Sequence, residues 1–317
     1  MITSFFGKSK PVHFLILGSF IAFAFIWTLF NEFSEGMSVG AIIYNVVLIV
    51  ITILSVILLD FIVSKNHLTR RNAFAIFFYA FFLIMLPNVF LNLDILWANF
   101  FLLLALRRII SLRKDNNSEK KILDTAIWTT VAALFYFWSL LFFIPLWFAI
   151  IQKPNLTYKQ LLIPIVGFFA VLLIYASYQI IAHDKLQWIF ELKQPINFDF
   201  SLYNSADLLI PASLILTLLV FTWFFRLRSL ASISLKERSN YLVFLLIVIT
   251  TLVIAILGPS KNGSEMIFLF APTSILCANY IEGIEKPQFQ NTDIAEMWFK
   301  EILLWMVFSI GVIFLFL

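Results

Sequence analysis

Residues Ile122 to Ile151 read ILDTAIWTTVAALFYFWSLLFFIPLWFAII, an apolar stretch bounded by Lys121 and Lys153 whose one charged side chain, Asp124, lies near its start. As one straight helix the stretch would be about 45 Å long, well beyond a hydrocarbon core of about 30 Å. As two crossings, each has roughly 15 residues and reaches only about 22 Å, which is short. Length leaves both readings open, and charge decides between them. Lys and Arg collect in the cytoplasmic loops of membrane proteins. With a cytoplasmic amino terminus and a hairpin turning near Tyr136–Ser139, 19 of the 22 basic residues fall inside and only Lys185, Lys193 and Lys261 outside. Read as a single crossing, the stretch leaves 14 inside and 8 outside. The charge pattern supports the hairpin.

The same logic extends along the chain. Further apolar runs are Val12–Phe30, Ala41–Val63, Ala73–Leu91, Ile95–Ile110, Leu161–Ala182, Leu208–Phe225, Tyr241–Leu257, Met266–Ile281 and Ile302–Leu317. With the hairpin they predict an all-α bundle of about eleven transmembrane spans, amino terminus inside and carboxyl terminus outside. Composition agrees: 62% of residues are hydrophobic and 13% charged, with a mean hydropathy of +0.97. Soluble domains carry roughly a quarter charged residues, so this chain needs a solvent other than water around much of its perimeter. The opening apolar run reads as an uncleaved span, with Thr3–Phe6 lying along the membrane surface. The longest outside segment, His183–Asp207, is too short for a separate domain, so residues 1–317 read as one membrane domain.

The net charge of +4 does not mark a nucleic-acid partner, because the basic residues recur in short clusters between apolar runs. The single cysteine, Cys277, lies in an apolar run and reads as a buried thiol. The three histidines, His13, His67 and His183, fall on separate segments and cannot build a four-histidine iron site. Neither an HExxH zinc motif nor a G-x-S-x-G nucleophile elbow is present, and no metal site is identified.

The outside segments hold eight acids against three bases. Glu32 and Glu35 follow the first span and, three residues apart, would share a helix face. They can serve as a catalytic base, or hold a divalent cation, or simply solvate the loop. Asn88, Asn92 and Asp94 lie in a very short connection at membrane depth, where polar groups face a cavity, another helix or a turn. His183, Lys185 and Lys193 lie beside Trp188 and Tyr203 in the longest outside loop, as donors for a phosphate head group or as ordinary charges flanking an interfacial helix, Leu186–Leu192. Lys261, in a turn-like loop, carries the same two readings. Asp60, deep in an apolar run, is either a proton-relay group or a partner for Lys65 or Arg70.

The opening Met1–Ile2–Thr3–Ser4–Phe5–Phe6–Gly7–Lys8–Ser9–Lys10–Pro11 resembles the start of an uncharacterised family of bacterial envelope membrane proteins of about this length. That resemblance covers the whole chain and implies the bacterial inner membrane. It implies no activity, and the carotenoid-oxygenase label that members can carry conflicts with the histidine count.

Residues 1–182 also resemble, in topology, the seven-span membrane module of the GT-C glycosyltransferases. Those enzymes have acids after the first span, a very short outside turn between spans three and four, and a short hairpin of spans five and six. Glu32/Glu35, Pro87–Asp94 and Ile122–Ile151 match that plan in order and side. The first outside loop is shorter than in those enzymes and contains glutamates only; residues 183–317 add an outside loop and four further spans. The resemblance implies transfer of a sugar from a polyprenyl-phosphate carrier at the outer face. On it, Glu32 or Glu35 is the base, His183, Lys185 and Lys193 hold the donor phosphate, and Asn88, Asn92 and Asp94 line the substrate site. Two other classes remain open from the residues alone: a non-enzymatic membrane subunit of an envelope assembly, with protein partners undefined, and a transporter or lipid-handling protein.

Overall fold

In hydrocarbon a backbone N–H or C=O finds no water, so a spanning segment must satisfy its own hydrogen bonds, and an isolated segment does this only as a helix. The computed structural model describes residues 1–32, 39–112, 117–153, 155–183, 194–229, 235–282 and 293–316, and among them the regular elements are helices and short 3₁₀ turns. Among the described residues, seven helices are long and apolar enough to cross a membrane: Pro11–Phe30, Val39–Asn66, Tyr158–His183, Ala206–Arg228, Arg238–Leu257, Ser264–Glu282 and Ile294–Phe316. The chain is an integral membrane protein. The other expected crossings correspond to shorter or more charged helices, Phe74–Met85, Leu93–Ser111, Ser118–Phe135 and Phe137–Ile151.

The chain divides into two compact units, residues 1–93, 200–231 and 262–317 in the first and residues 94–199 and 232–261 in the second. The first unit contains α1 (Ile2–Phe6), α2 (Pro11–Glu32), α3 (Val39–Asn66), α4 (Phe74–Met85) and the single turn α5 (Asn88–Leu91). The second contains α6 (Leu93–Ser111) from Asp94 onward, α7 (Ser118–Phe135), a 3₁₀ turn at Phe137–Phe142, α8 (Phe143–Ile151) and α9 (Tyr158–His183). The first unit is completed by α10 (Ala206–Ser229), α12 (Ile267–Glu282) and α13 (Asp293–Phe316), the second by α11 (Leu235–Leu257).

The hub of the first unit is α4, whose sequence FAIFFYAFFLIM is apolar on every side. A helix without a polar face must be surrounded, and all twelve of its residues are buried. Lipid tails are as apolar as these side chains, so shape and dispersion, not water exclusion, hold the bundle together. Phe81 shows the fit. Its ring packs 4.7 Å from Phe77 and 5.3 Å from Phe308, and it occupies the notch left by Gly311, where an added Cβ would sit 2.6 Å from Phe81 Cδ1. On the α12 side, Phe82 and Tyr79 meet Phe270 at 5.8 and 6.3 Å.

The opening segment is tied to the bundle. Beyond what the sequence suggested, α1 docks on protein: Phe6 is buried, with its ring 5.0 Å from both His13 and Phe77. The Phe6 carbonyl accepts the Ala73 N–H at 2.9 Å, and Glu301 accepts the backbone N–H groups of Ile2 and Thr3. A slot between helices offers a phenyl ring more contacts than the interface does. The run Ala73–Leu91 is two helices, α4 and α5, broken at Leu86–Pro87. The last helix begins at Asp293, well before the expected Ile302.

In the second unit the decisive stretch is broken at Tyr136, which is extended (φ −139°, ψ 101°) between α7 and the 3₁₀ turn. Gln160 Nε2 donates to Ser118 Oγ at 3.2 Å, and Gly167 lies against Leu123 and Ala126. Advancing along α7 therefore advances along α9: the two helices are parallel. Two parallel neighbours require the chain between them to run back, and the return is the short path Phe137–Ile151. An added Cβ at Gly167 would come 2.7 Å from Ala126 Cβ, so glycine permits this close approach.

Candidate functional site

At the end of the first unit where α4 stops, three separate segments meet through polar side chains. Pro87 cannot donate an N–H to continue α4, and the chain turns into α5. Asn88 Nδ2 donates to the Asn262 carbonyl at 2.8 Å, and Asn92 Nδ2 donates to Ser264 Oγ at 3.3 Å. Ser264 Oγ and its backbone N–H both donate to Asn262 Oδ1, at 2.6 and 3.2 Å. Between them, Gly263 adopts φ +90°, and an added Cβ would meet Leu208 Cδ2 at 2.9 Å and Leu86 Cδ2 at 3.3 Å. Both the backbone conformation and the space demand glycine there.

The turn delivers Glu265 into the interior, where it is 1% exposed. Tyr203, from the 3₁₀ turn Ser201–Asn204, donates its phenol hydrogen to Glu265 Oε1 at 2.7 Å. A carboxylate beside a phenol in a water-poor setting is a pair able to hold and pass a proton. It also carries a requirement, because a buried carboxylate must be hydrogen-bonded to be tolerated. This cluster of Asn88, Asn92, Tyr203, Asn262, Ser264 and Glu265 is the candidate functional site.

Of the residues singled out in the sequence, Asn88 and Asn92 belong to it and are tied to one loop. Asp94, exposed in the first turn of α6, is in the second unit, where an acid favourably faces the helix amino terminus. His183 ends α9, exposed, its ring edge-on to Tyr178 at 5.6 Å. Glu32 is the last residue of α2, and its side chain lies outside the described residues, as do Glu35, Lys185, Lys193 and the expected helix Leu186–Leu192. Lys261 is not an outward-facing cation. It is 3% exposed, and its Nζ donates to the Ala255 and Ile256 carbonyls, 2.7 Å each, capping the end of α11. Cys277 is buried. Among the described residues, no three His, Cys, Asp or Glu side chains gather into a group that could hold a metal.

Glu265 and Tyr203 were missed as a pair because they are far apart in sequence and each looks like an ordinary loop residue. The usable signal was the turn before the acid, Gly258–Pro259–Ser260–Lys261–Asn262–Gly263, which aims it inward.

The opposite end of the first unit is also polar. Glu282 accepts the Arg70 backbone N–H at 2.8 Å and the Asn72 side-chain amide. Glu301 accepts from Thr3 Oγ1 at 2.5 Å as well as from the α1 backbone. Lys300 Nζ donates to the Ile281 carbonyl at 2.8 Å and stands 5.4 Å from the Tyr280 ring centroid.

Residues 6–317 match the model of a family described as a family of unknown function (DUF6427), and the chain belongs to that family. No curated protein and no solved structure matches it.

Proposed function

We propose that this DUF6427 chain is a GT-C-like glycosyltransferase of a bacterial inner membrane, with about eleven spans and a cytoplasmic amino terminus, using a polyprenyl-phosphate-linked sugar at the outer face. The observation that carries the reading is the parallel pairing of α7 with α9 around the short return Phe137–Ile151. A short hairpin ahead of a long seventh span is the plan of that enzyme module, and it supports the sidedness that the charge count gives the segments after Lys121.

On this topology Glu32, Glu35, the Asn88–Asp94 connection, His183, Lys185, Lys193 and Glu265 all belong to the outer side. Glu32 or Glu35 draws the proton from an acceptor hydroxyl. His183, Lys185 and Lys193 hold the donor phosphate and stabilise the leaving group. Asn88, Asn92 and Asp94 line the substrate site, and a divalent cation would sit with the glutamates. Glu265, held by Tyr203, fixes the turn to which Asn88 and Asn92 are bound.

The test is reconstitution in proteoliposomes with a polyprenyl-phosphate sugar. Glu32→Gln with Glu35→Gln abolishes glycan transfer and leaves insertion intact; undiminished transfer removes both glutamates from the mechanism.

A second reading, a non-enzymatic membrane subunit, draws on one observation: Asn88 and Asn92 already donate to the Asn262–Ser264 loop. Amides so used brace a loop. A stoichiometric partner co-purifying in mild detergent, with no transfer activity, favours this reading; an active monomer excludes it.

A further inference from the structure

The Glu282 end of the first unit contains a cavity of about 480 Å³, within the range of small-molecule sites. Its polar mouth carries Arg70, Asn72, Glu282, Lys300 and Glu301. A second groove, of about 500 Å³, shares Met1, Trp298 and Glu301 with the first and continues along α13 past Ile302, Trp305 and Met306. Positions 298, 302 and 305 recur at helical spacing, so they form one stripe. Trp298, Ile302 and Trp305 are 56%, 61% and 50% exposed. A charged mouth opening into an apolar channel along a spanning helix has the polarity profile of a lipid molecule, and tryptophan is the residue that favours the level where head group meets chain.

The charges narrow the head group. Glu301 is committed to three donors from α1, and Lys300 donates to the Ile281 carbonyl and covers the Tyr280 ring. Arg70, exposed at the mouth, presents a guanidinium whose five N–H donors suffice for a phosphate in addition to any neighbour. Glu282 accepts from the Arg70 N–H and the Asn72 amide and is within hydrogen-bond reach of the Thr69 hydroxyl, so of about four acceptor positions on a carboxylate one stays open for an ammonium. A cation and an acid at one mouth match a zwitterion that has both a phosphate and an N–H-bearing ammonium. A choline head group has no N–H to donate, and a purely anionic head group would face two carboxylates.

We propose that this groove holds one aminophospholipid, its phosphate on Arg70, its primary ammonium on Glu282 and an acyl chain along Trp298, Ile302 and Trp305. The site is independent of the transferase reading; the charge-based topology places it in the cytoplasmic leaflet, but binding does not depend on that placement.

The experiment is native mass spectrometry of the full chain in mild detergent, titrated with dioleoyl phosphatidylethanolamine, its mono- and dimethyl derivatives, phosphatidylcholine and phosphatidylglycerol. Retention holds while one N–H donor remains and falls when the last is replaced by methyl. Phosphatidylethanolamine exceeds phosphatidylcholine by about tenfold, the ratio one lost charge-assisted hydrogen bond produces. Glu282→Gln flattens the series, and Arg70→Ala lowers retention of every lipid. A flat series on the unaltered chain overturns the proposal without any variant having to fold. Tightest binding of phosphatidylglycerol overturns it too, as does undiminished retention by folded Arg70→Ala.

Discussion

Helix α12 is bracketed by two carboxylates, Glu265 just before it and Glu282 at its end, and the two ends solve the same problem differently. Glu282 is half-buried and accepts from a backbone N–H and an amide, with the Thr69 hydroxyl and the Arg70 charge beside it, none of them an acid as strong as a phenol. Glu265 is buried and takes a phenol that is itself an acid. The Glu282 end is therefore a brace whose charge is partly shared with water. The Glu265 end ties three segments around a group that water does not reach. A half-buried brace can lose a partner and recruit solvent; a buried carboxylate cannot.

The sharpest way to break the comparison is Gly263→Val. It forces a β-branched residue to φ +90° and into the Leu208 and Leu86 side chains, at a cost of about 3 kcal/mol or more. The yield of folded monomer on size exclusion should collapse. Glu265→Leu against Glu282→Leu comes next. The first removes the acceptor of the half-buried Tyr203 hydroxyl and the buried end of the tie, costing about 1–3 kcal/mol, and the second costs about 1 kcal/mol because water replaces the acid. Thermal unfolding in detergent checks the order, and a larger loss at Glu282 would reverse the comparison. The smallest effect on stability is expected for Tyr158→Cys. Tyr158 is 90% exposed at the start of α9, and the native Cys277 is buried, so an impermeant thiol reagent reports the new residue alone. Labelling from the cytoplasmic side is expected; labelling from outside would place α9 the other way up and end the transferase reading.

The break at Tyr136 was legible because positive charge is excluded from one side of a membrane however the helices pack. Counting Lys and Arg on each side therefore tested the path of residues 122–151 without knowledge of a single contact. Cys277, in an apolar run, was legible for a similar reason. Lys261 was not. In the sequence it is a cation in a turn, equally suited to a phosphate or to solvent, and only the position of the free carbonyls of Ala255 and Ile256 makes it a helix cap. The docking of Phe6 was illegible for the complementary reason: the slot between His13 and Phe77 exists only once the helices have packed.

Sequence alone established that the chain lives in a bilayer as a helical bundle, because composition and charge bias act residue by residue against solvent. Tertiary structure decided which polar groups are spent and on what: the Tyr203–Glu265 pair, the Asn88–Asn262 tie, the clasp of Glu301 on the amino terminus. Such pairings join residues up to about three hundred positions apart. No local pattern encodes them, since hydrogen bonds depend on angstrom-scale geometry that exists only once the helices have packed.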